Sequence, residues 1–466
     1  MFHIKGMRAF LIGLLMIAAA TVTGLTAYRH FGRTPGELMD YVDRRLEGHP
    51  KLEVVAKPIL AELRQVFDAP SVADRARIPF LVPPPPKRRG PDEVGRREPP
   101  PAGVRVWRVG PSGPITKIGD VARLARDGDH VEIEAGDYHQ DVAVWEQSKL
   151  TIRGVNGAAR LFADGRSAEG KAIWVIRHGV FDISNIDFVG AEVADGNGAG
   201  IRFEGGHLRL RDCLFWGNQM GLLTGGRSTA PDATLVIENS EFAYSHVQNR
   251  WGHNLYVGTI ASLTVTGSYF HHAGVGHLLK SRAGISDILY NRLTDESGGR
   301  ASYELDFPNG GMVRLVGNVV QQQRDTEHSV LIAFGEEGYE WPTNVLLMGN
   351  NTLINDHPYG GTFLRVAAGA DSVEAANNLL VGPGTYQVED HLKVFNDVNA
   401  DWGAFFRPSR EDYRLLHPGA RMAYQPSPDT ELGPTFAPKA QYVHPRRVRL
   451  LSTGPTYVGA IQEVGQ

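Results

Sequence analysis

Along the middle of this chain an apolar residue follows an Asn, Asp or Gly by two or three positions, again and again. The series runs Phe188 in "SNIDF", Phe215 in "RDCLF", Phe242 in "ENSEF", Phe270 in "TGSYF", Leu293 in "YNRL", Val320 in "GNVV", Leu353 in "NNTL" and Leu380 in "NNLL". The intervals are 27, 27, 28, 23, 27, 33 and 27 residues. Between these points lies a second strand-like segment per repeat: "GIRFEG", "GLLTGG", "HNLYVG", "HLLKSR", "SYELDF", "SVLIAFG" and "TFLRV". Propeller blades need about 40–45 residues, and leucine-rich repeats carry a leucine signature that is absent here. A coil of roughly 27 residues with two or three short strands, stacked on the next at about 4.8 Å, is a parallel β-helix. Like residues then pile up inside, and Asn side chains bond their neighbours along the turns. The 54 glycines among 466 residues suit a fold with many tight turns.

The rest of the chain divides around this all-β solenoid. Residues 1–33 read as a membrane anchor or signal segment. Lys5 and Arg8 precede an uncharged run from Ala9 to Tyr28, long enough to cross a bilayer. A cleavable signal peptide is the alternative, with Ala18 and Ala20 as its small residues. With the anchor retained, the positive-inside rule favours an inner-membrane protein whose bulk is periplasmic or extracellular. Residues 34–77 read as a helical stalk in which Pro58 would interrupt or start a helix. Residues 78–103, "IPFLVPPPPKRRGPDEVGRREPPPAG", read as a Pro-rich extended linker. The β-helix is expected over 104–385 and a C-terminal cap over 386–466. Cys213 is the single cysteine, so neither a disulfide framework nor a cysteine zinc site exists. Net charge is −4 and no basic stripe crosses the repeats, which speaks against nucleic acid. A monomer is expected.

The segments "GAGIRFEGG", "HNLYVG", "GHLLKSRA" and "YELDFPNGG", in this order, resemble those of bacterial exported β-helix repeat proteins of the pectin-lyase-like superfamily. The opening "VGPSG" with "GDHVEIEAGDY", and the closing "DYRLLHPGARMAYQP" with "PTYVGAIQ", are similar to the ends of polysaccharide-active members. The resemblance spans about Val104 to Ile461. It implies a right-handed parallel β-helix. It leaves activity open, because that superfamily holds lyases, hydrolases, epimerases and non-catalytic tailspikes.

Alternation along the strands singles out a candidate site. If Leu255, Leu279 and Leu305 point inward, residues of the other parity point outward. That puts Asn254, Tyr256, Lys280, Arg282, Glu304 and Asp306 on one exposed patch over three successive coils. A solvated face with favourable cross-strand charge pairs is the plain alternative. His253 and His277, 24 residues apart, stack at the patch edge as acid candidates or as a structural pair. For β-elimination on a uronate polymer, Lys280 or Arg282 serves as base or carboxylate neutraliser, and Tyr256 or His277 as acid. A lowered Lys280 pKa, with Arg282 as the nearby cation, would suit the base. Hydrolysis would instead use Glu304 and Asp306. Uronate epimerisation and non-catalytic glycan binding by an envelope scaffold also remain. Trp251, Tyr339 and Trp341 are candidate sugar-stacking residues. The partner expected is an acidic polysaccharide. No cofactor is required, although Glu304, Asp306, Asp325 and Glu327 could supply oxygens to Ca2+.

Overall fold

A computed structural model describes residues 39, 50–66, 80–93, 99–225, 230–248, 251–324, 326, 328–357, 360–389, 391–427 and 437–465. The expected anchor over residues 9–28 lies outside these. Among the described residues no helix is long and apolar enough to cross a membrane. Of the expected stalk, a helix over Pro50–Val66 is described, and it contains Pro58.

The repeats form a parallel β-helix. One face is a ten-stranded sheet that runs in strict chain order from Ala143–Trp145 to Thr385–Val388, one strand per coil. The rest of each coil contributes two strands to a 21-stranded sheet, as Ser262–Thr266 and Tyr269–His271 do. Strands pair in parallel with the equivalent strand of the next coil. The coils continue through Val398–Ala400, beyond the expected end at 385, because that strand still pairs with Leu379–Val381.

The turn between the two strands explains the period. Asn185, Asp212, Asn239, Asn350, Asn377 and Asn396 adopt left-handed backbone there, as do Gly267 and Gly317. Asn, Asp and Gly are the residues that tolerate this conformation. The next residue begins a buried ladder. The Asn318 Oδ1 accepts the Asn291 N–H (2.9 Å), the Asn351 Oδ1 accepts the Asn318 N–H (3.0 Å), and the Asn378 Oδ1 accepts the Asn351 N–H (2.9 Å). Two residues after the ladder position, Phe188, Phe215, Phe242 and Phe270 stack with centroid separations of 5.0, 4.4 and 4.8 Å. Rings about one strand spacing apart face each other because the coils stack in register.

The first coil is closed by a helix over Ile118–Leu124, whose Ile118, Val121 and Ala122 join the core. Both terminal segments run back over the 21-stranded sheet. The Pro-rich stretch, read from sequence as a spacer, packs on the coils. Arg89 is buried against Asp187 and donates to the Asp212 carbonyl (2.7 Å), and the Trp216 indole donates to the Pro83 carbonyl (2.8 Å). A C-terminal hairpin, Ala440–Val443 with Arg447–Leu450, reaches Asp212 through Arg447 (3.0 Å). The ten-stranded face carries the candidate site.

Candidate functional site

Three adjacent strands of the ten-stranded sheet build the site: Leu255–Val257, His277–Ser281 and Tyr303–Phe307. Leu255, Leu279 and Leu305 pair in register and face the core, as the alternation requires. Tyr256, Lys280 and Asp306 form the neighbouring row on the outer side, continued by Ala333 and Arg365.

One residue earlier the alternation fails. His277 pairs with Tyr303 and Leu279 with Leu305, but the positions between them do not pair. Leu278 and Leu279 are both buried in the same core, as are Leu331 and Ile332, and Phe363 and Leu364. The chain bends into the sheet at this corner, so two consecutive side chains turn inward. Glu304 occupies the corner position beside Leu278. It therefore faces the interior and not the outer patch, fully buried, with neither carboxylate oxygen hydrogen bonded. Burial, reinforced by Asp295, pushes its pKa well above the ordinary carboxylate range. Asn254 sits in the same corner. Its amide donates to the carbonyls of Phe242 (3.2 Å) and His271 (2.8 Å) and its oxygen accepts the Ser245 N–H (3.1 Å), so it ties coils together. Neither residue belongs to a surface site, and Glu304 with Asp306 makes no hydrolytic pair.

The remaining residues converge, but in a closed cluster and not on an open patch. Lys280 and Arg282 are each 8% exposed and Asp306 is 3% exposed. The Lys280 Nζ lies 3.0 Å from the Asp306 Oδ2, and the His277 Nδ1 lies 3.1 Å from the same oxygen. On its other side Lys280 donates to the Glu337 Oε1 (2.8 Å), and Arg282 donates to the Glu337 Oε2 (2.7 Å). Arg282 also donates to the Asn309 Oδ1 and, through Nε, to the Tyr256 hydroxyl (3.2 Å). The His253 and His277 rings meet at 4.7 Å, and the His253 Nδ1 accepts the His277 backbone N–H (2.9 Å).

The charge states follow. Burial alone would lower the Lys280 pKa, but Asp306 and Glu337 outweigh it and raise it above the ordinary value. Lys280 is thus a fixed cation and not the lysine base of lowered pKa expected from sequence: two carboxylates face it, Asp306, expected on the same patch, and Glu337. Burial would raise Asp306, yet His277 and Lys280 hold it below its ordinary value. Burial, with His277, Lys280 and Arg282 nearby, pushes His253 well below its ordinary value, so it is neutral.

Glu337, Asn309 and Tyr303, whose ring meets that of His277 at 5.0 Å, are not legible as site residues. Glu337 comes from the segment "GEEGYEWPTN", in which the sequence singles out only Tyr339 and Trp341. Tyr339 and Trp341 anchor that segment: Tyr339 donates to the Ala367 carbonyl (2.7 Å), and the Trp341 indole donates to the Arg282 carbonyl (3.1 Å). Both residues are half-buried. Trp251 is 66% exposed at the His253 edge and stays available for stacking. A surface hollow of ≈ 470 Å³, lined in part by Glu336, Arg365, Tyr386 and Gln387, continues the outer row.

Among the described residues, the carboxylates offered for Ca2+ do not gather around one point. Asp306 and Glu337 are held by Lys280 and Arg282, Glu304 faces away, and Asp325 and Glu327 lie outside the described residues. Elsewhere, His271, His272 and Glu296 bring donor atoms within 4.8 Å of one another. Glu296 already accepts from Tyr269, from Thr294 (2.9 Å) and from Arg292 (3.4 Å), so that cluster is an ion-paired network beneath the C-terminal segment.

No protein-family model matches the chain, and no curated protein matches it. Among solved structures it is similar to the crystal structure of pectate lyase Pel9A, with 12% identity and a TM-score of 0.46 over 78% of this chain and 98% of that one. At that level the likeness carries nothing about activity, and the fold rests on the strand pairings above.

Proposed function

We propose that the chain binds an acidic polysaccharide along the outer face of the ten-stranded sheet and cleaves it by β-elimination. The observation that carries this reading is the grip on a carboxylate. Lys280 and Arg282 each hold one oxygen of Glu337, and Arg282 bonds the Tyr256 hydroxyl. A uronate carboxylate held in the same way loses its charge repulsion, and the proton on the adjacent ring carbon becomes acidic. His277, whose Nδ1 lies beside Asp306, takes that proton. The ring carbon–oxygen bond to the next sugar breaks, a carbon–carbon double bond forms, and Tyr256 protonates the departing oxygen. In this assignment Lys280 neutralises and orients, in keeping with its raised pKa.

The test is a panel of uronate polymers followed by the ultraviolet absorbance of the unsaturated sugar end. Absorbance that appears with the wild type and is lost in Arg282→Ala and Tyr256→Phe supports elimination. New reducing ends without absorbance would replace it with hydrolysis. Solvent-deuterium uptake without chain cleavage would replace it with epimerisation.

A second reading is glycan binding without cleavage. It is favoured by the mutual saturation of Lys280, Asp306 and Glu337. Retention of polymer on the immobilised protein without any product would select it. Tethering by residues 9–28, with the β-helix outside the cytoplasmic membrane, is part of the proposal. Protease added to intact spheroplasts should digest the β-helix, and protection by the inner membrane would reject that location.

A further inference from the structure

Glu337 fills the place that the proposed function assigns to a substrate carboxylate. We infer that the Lys280–Arg282–Tyr256 cradle is a seat for a single monovalent carboxylate, and that the Glu337 side chain is its built-in competitor, which swings out when a uronate enters. This inference rests on the proposed function for the identity of the ligand, but not for the existence of the seat.

Four features of the geometry support it. First, the grip is complete: each Glu337 oxygen has its own cation, at 2.8 and 2.7 Å. Paired charge-assisted bonds of this kind are how proteins recognise carboxylates. Second, Glu337 enters from solvent. Its side chain is 43% exposed, while those of Lys280 and Arg282 are 10% and 9% exposed, so its departure would uncover them.

Third, only the side chain must move. The Glu337 N–H donates to the Pro308 carbonyl (2.9 Å), the Gly338 N–H donates to the Gly335 carbonyl (2.9 Å), and Tyr339 and Trp341 pin the chain beyond. Fourth, the seat survives the departure. Lys280 keeps Asp306 at 3.0 Å, and Arg282 keeps Asn309 and Tyr256.

The charge count names the ligand class. With Glu337 in place, two cations face two carboxylates, Asp306 and Glu337. With Glu337 out, one positive charge is left over, which suits one carboxylate better than a dianion such as phosphate. The hollow lined by Glu336 and Arg365 lies farther along the same outer row and leaves room for neighbouring sugars. Glu336 lies 3.6 Å from Arg365 there, a second carboxylate of this segment beside a cation of the sheet.

The experiment titrates glucuronate and galacturonate monosaccharides, with inorganic phosphate as control, into wild type, Glu337→Gln and Glu337→Ala by calorimetry. Thermal melts check that each variant is folded. Both variants should bind a uronate at least tenfold more tightly than wild type, phosphate should gain less, and adding Arg282→Ala should erase the gain. Equal or weaker uronate binding in both folded variants would overturn the inference. The two readings separate cleanly. Tighter binding without unsaturated product in any protein keeps the seat and rejects elimination. Cleavage by wild type with no tightening in the variants keeps elimination and rejects the competitor.

Discussion

Replacing Glu304 by leucine should stabilise this protein. Glu304 lies at an inward corner between Leu278 and Leu331, fully buried, and neither of its oxygens has a partner. An unsatisfied buried polar group costs about 1–3 kcal/mol. A buried leucine contributes roughly 1.5–3 kcal/mol, part of which the glutamate methylenes already supply. The net gain at pH 7 is therefore about 2–3 kcal/mol. Unfolding entropy of about 2.1 cal/mol/K per residue over roughly 300 residues of β-helix converts this to about 3–5 °C in melting temperature.

The sign with pH is equally specific. A carboxyl whose folded pKa is raised binds more protons folded than unfolded above its ordinary value, so it withdraws stability as pH rises from there. The gain of Glu304→Leu should therefore be smallest near pH 4, where only the polar and packing contributions act, and grow toward pH 8. Asp295, pushed up to about 8 by burial, keeps a slope of its own. Glu304→Gln, which keeps unpaired polar atoms but does not titrate, should gain little near pH 4 and more toward pH 8. Thermal melts of the three proteins from pH 4 to 8 decide the matter. A lower melting temperature for Glu304→Leu at pH 7, or a gain that shrinks with pH, would mean that Glu304 has a bound partner inside the wall.

Other perturbations act on the outer cluster and the ladder. Lys280→Met strands the buried Asp306 carboxylate and should cost about 3–5 kcal/mol by chemical denaturation, part of which Asp306→Asn restores. Asp306 has a depressed folded pKa, so its stabilisation is present above the ordinary carboxylate value and is lost as pH falls through the folded one. Asp306→Asn should therefore flatten the acid limb of the stability profile. Asn318→Ala leaves the buried Asn291 N–H without its acceptor and should cost about 1–3 kcal/mol in the same assay, while Asn→Ala at an exposed turn should not. Chelation with EDTA should change neither the melting temperature nor polymer cleavage, because cations of the chain hold both Asp306 and Glu337. A chelator-sensitive activity would point to a metal carried in by the substrate.

The coil was legible in the sequence because a solenoid repeats its constraints. Every turn asks for a residue that accepts left-handed backbone, and every rung asks for an apolar residue two or three positions later. Asn185, Asp212 and Asn239 with Phe188, Phe215 and Phe242 answer both demands, so the period could be read without knowing the pairing. Alternation likewise assigned Leu279 to the core and Tyr256, Lys280 and Asp306 to one outer row. It misplaced Asn254 and Glu304, because a period of two holds only along a uniform pleat, and the corner turns two consecutive residues inward. The adjacent leucines of "HLLK" carried a trace of that corner, whereas a charged residue in "YELDF" hid it. The tertiary structure alone decided the rest. Glu337 meets Lys280 across 57 residues and Arg89 meets Asp187 across 98. Such contacts depend on where a loop or a terminal segment lands on the finished coils. The direction of the Lys280 pKa followed from that landing, because burial and two facing carboxylates act through space and leave no period in the chain.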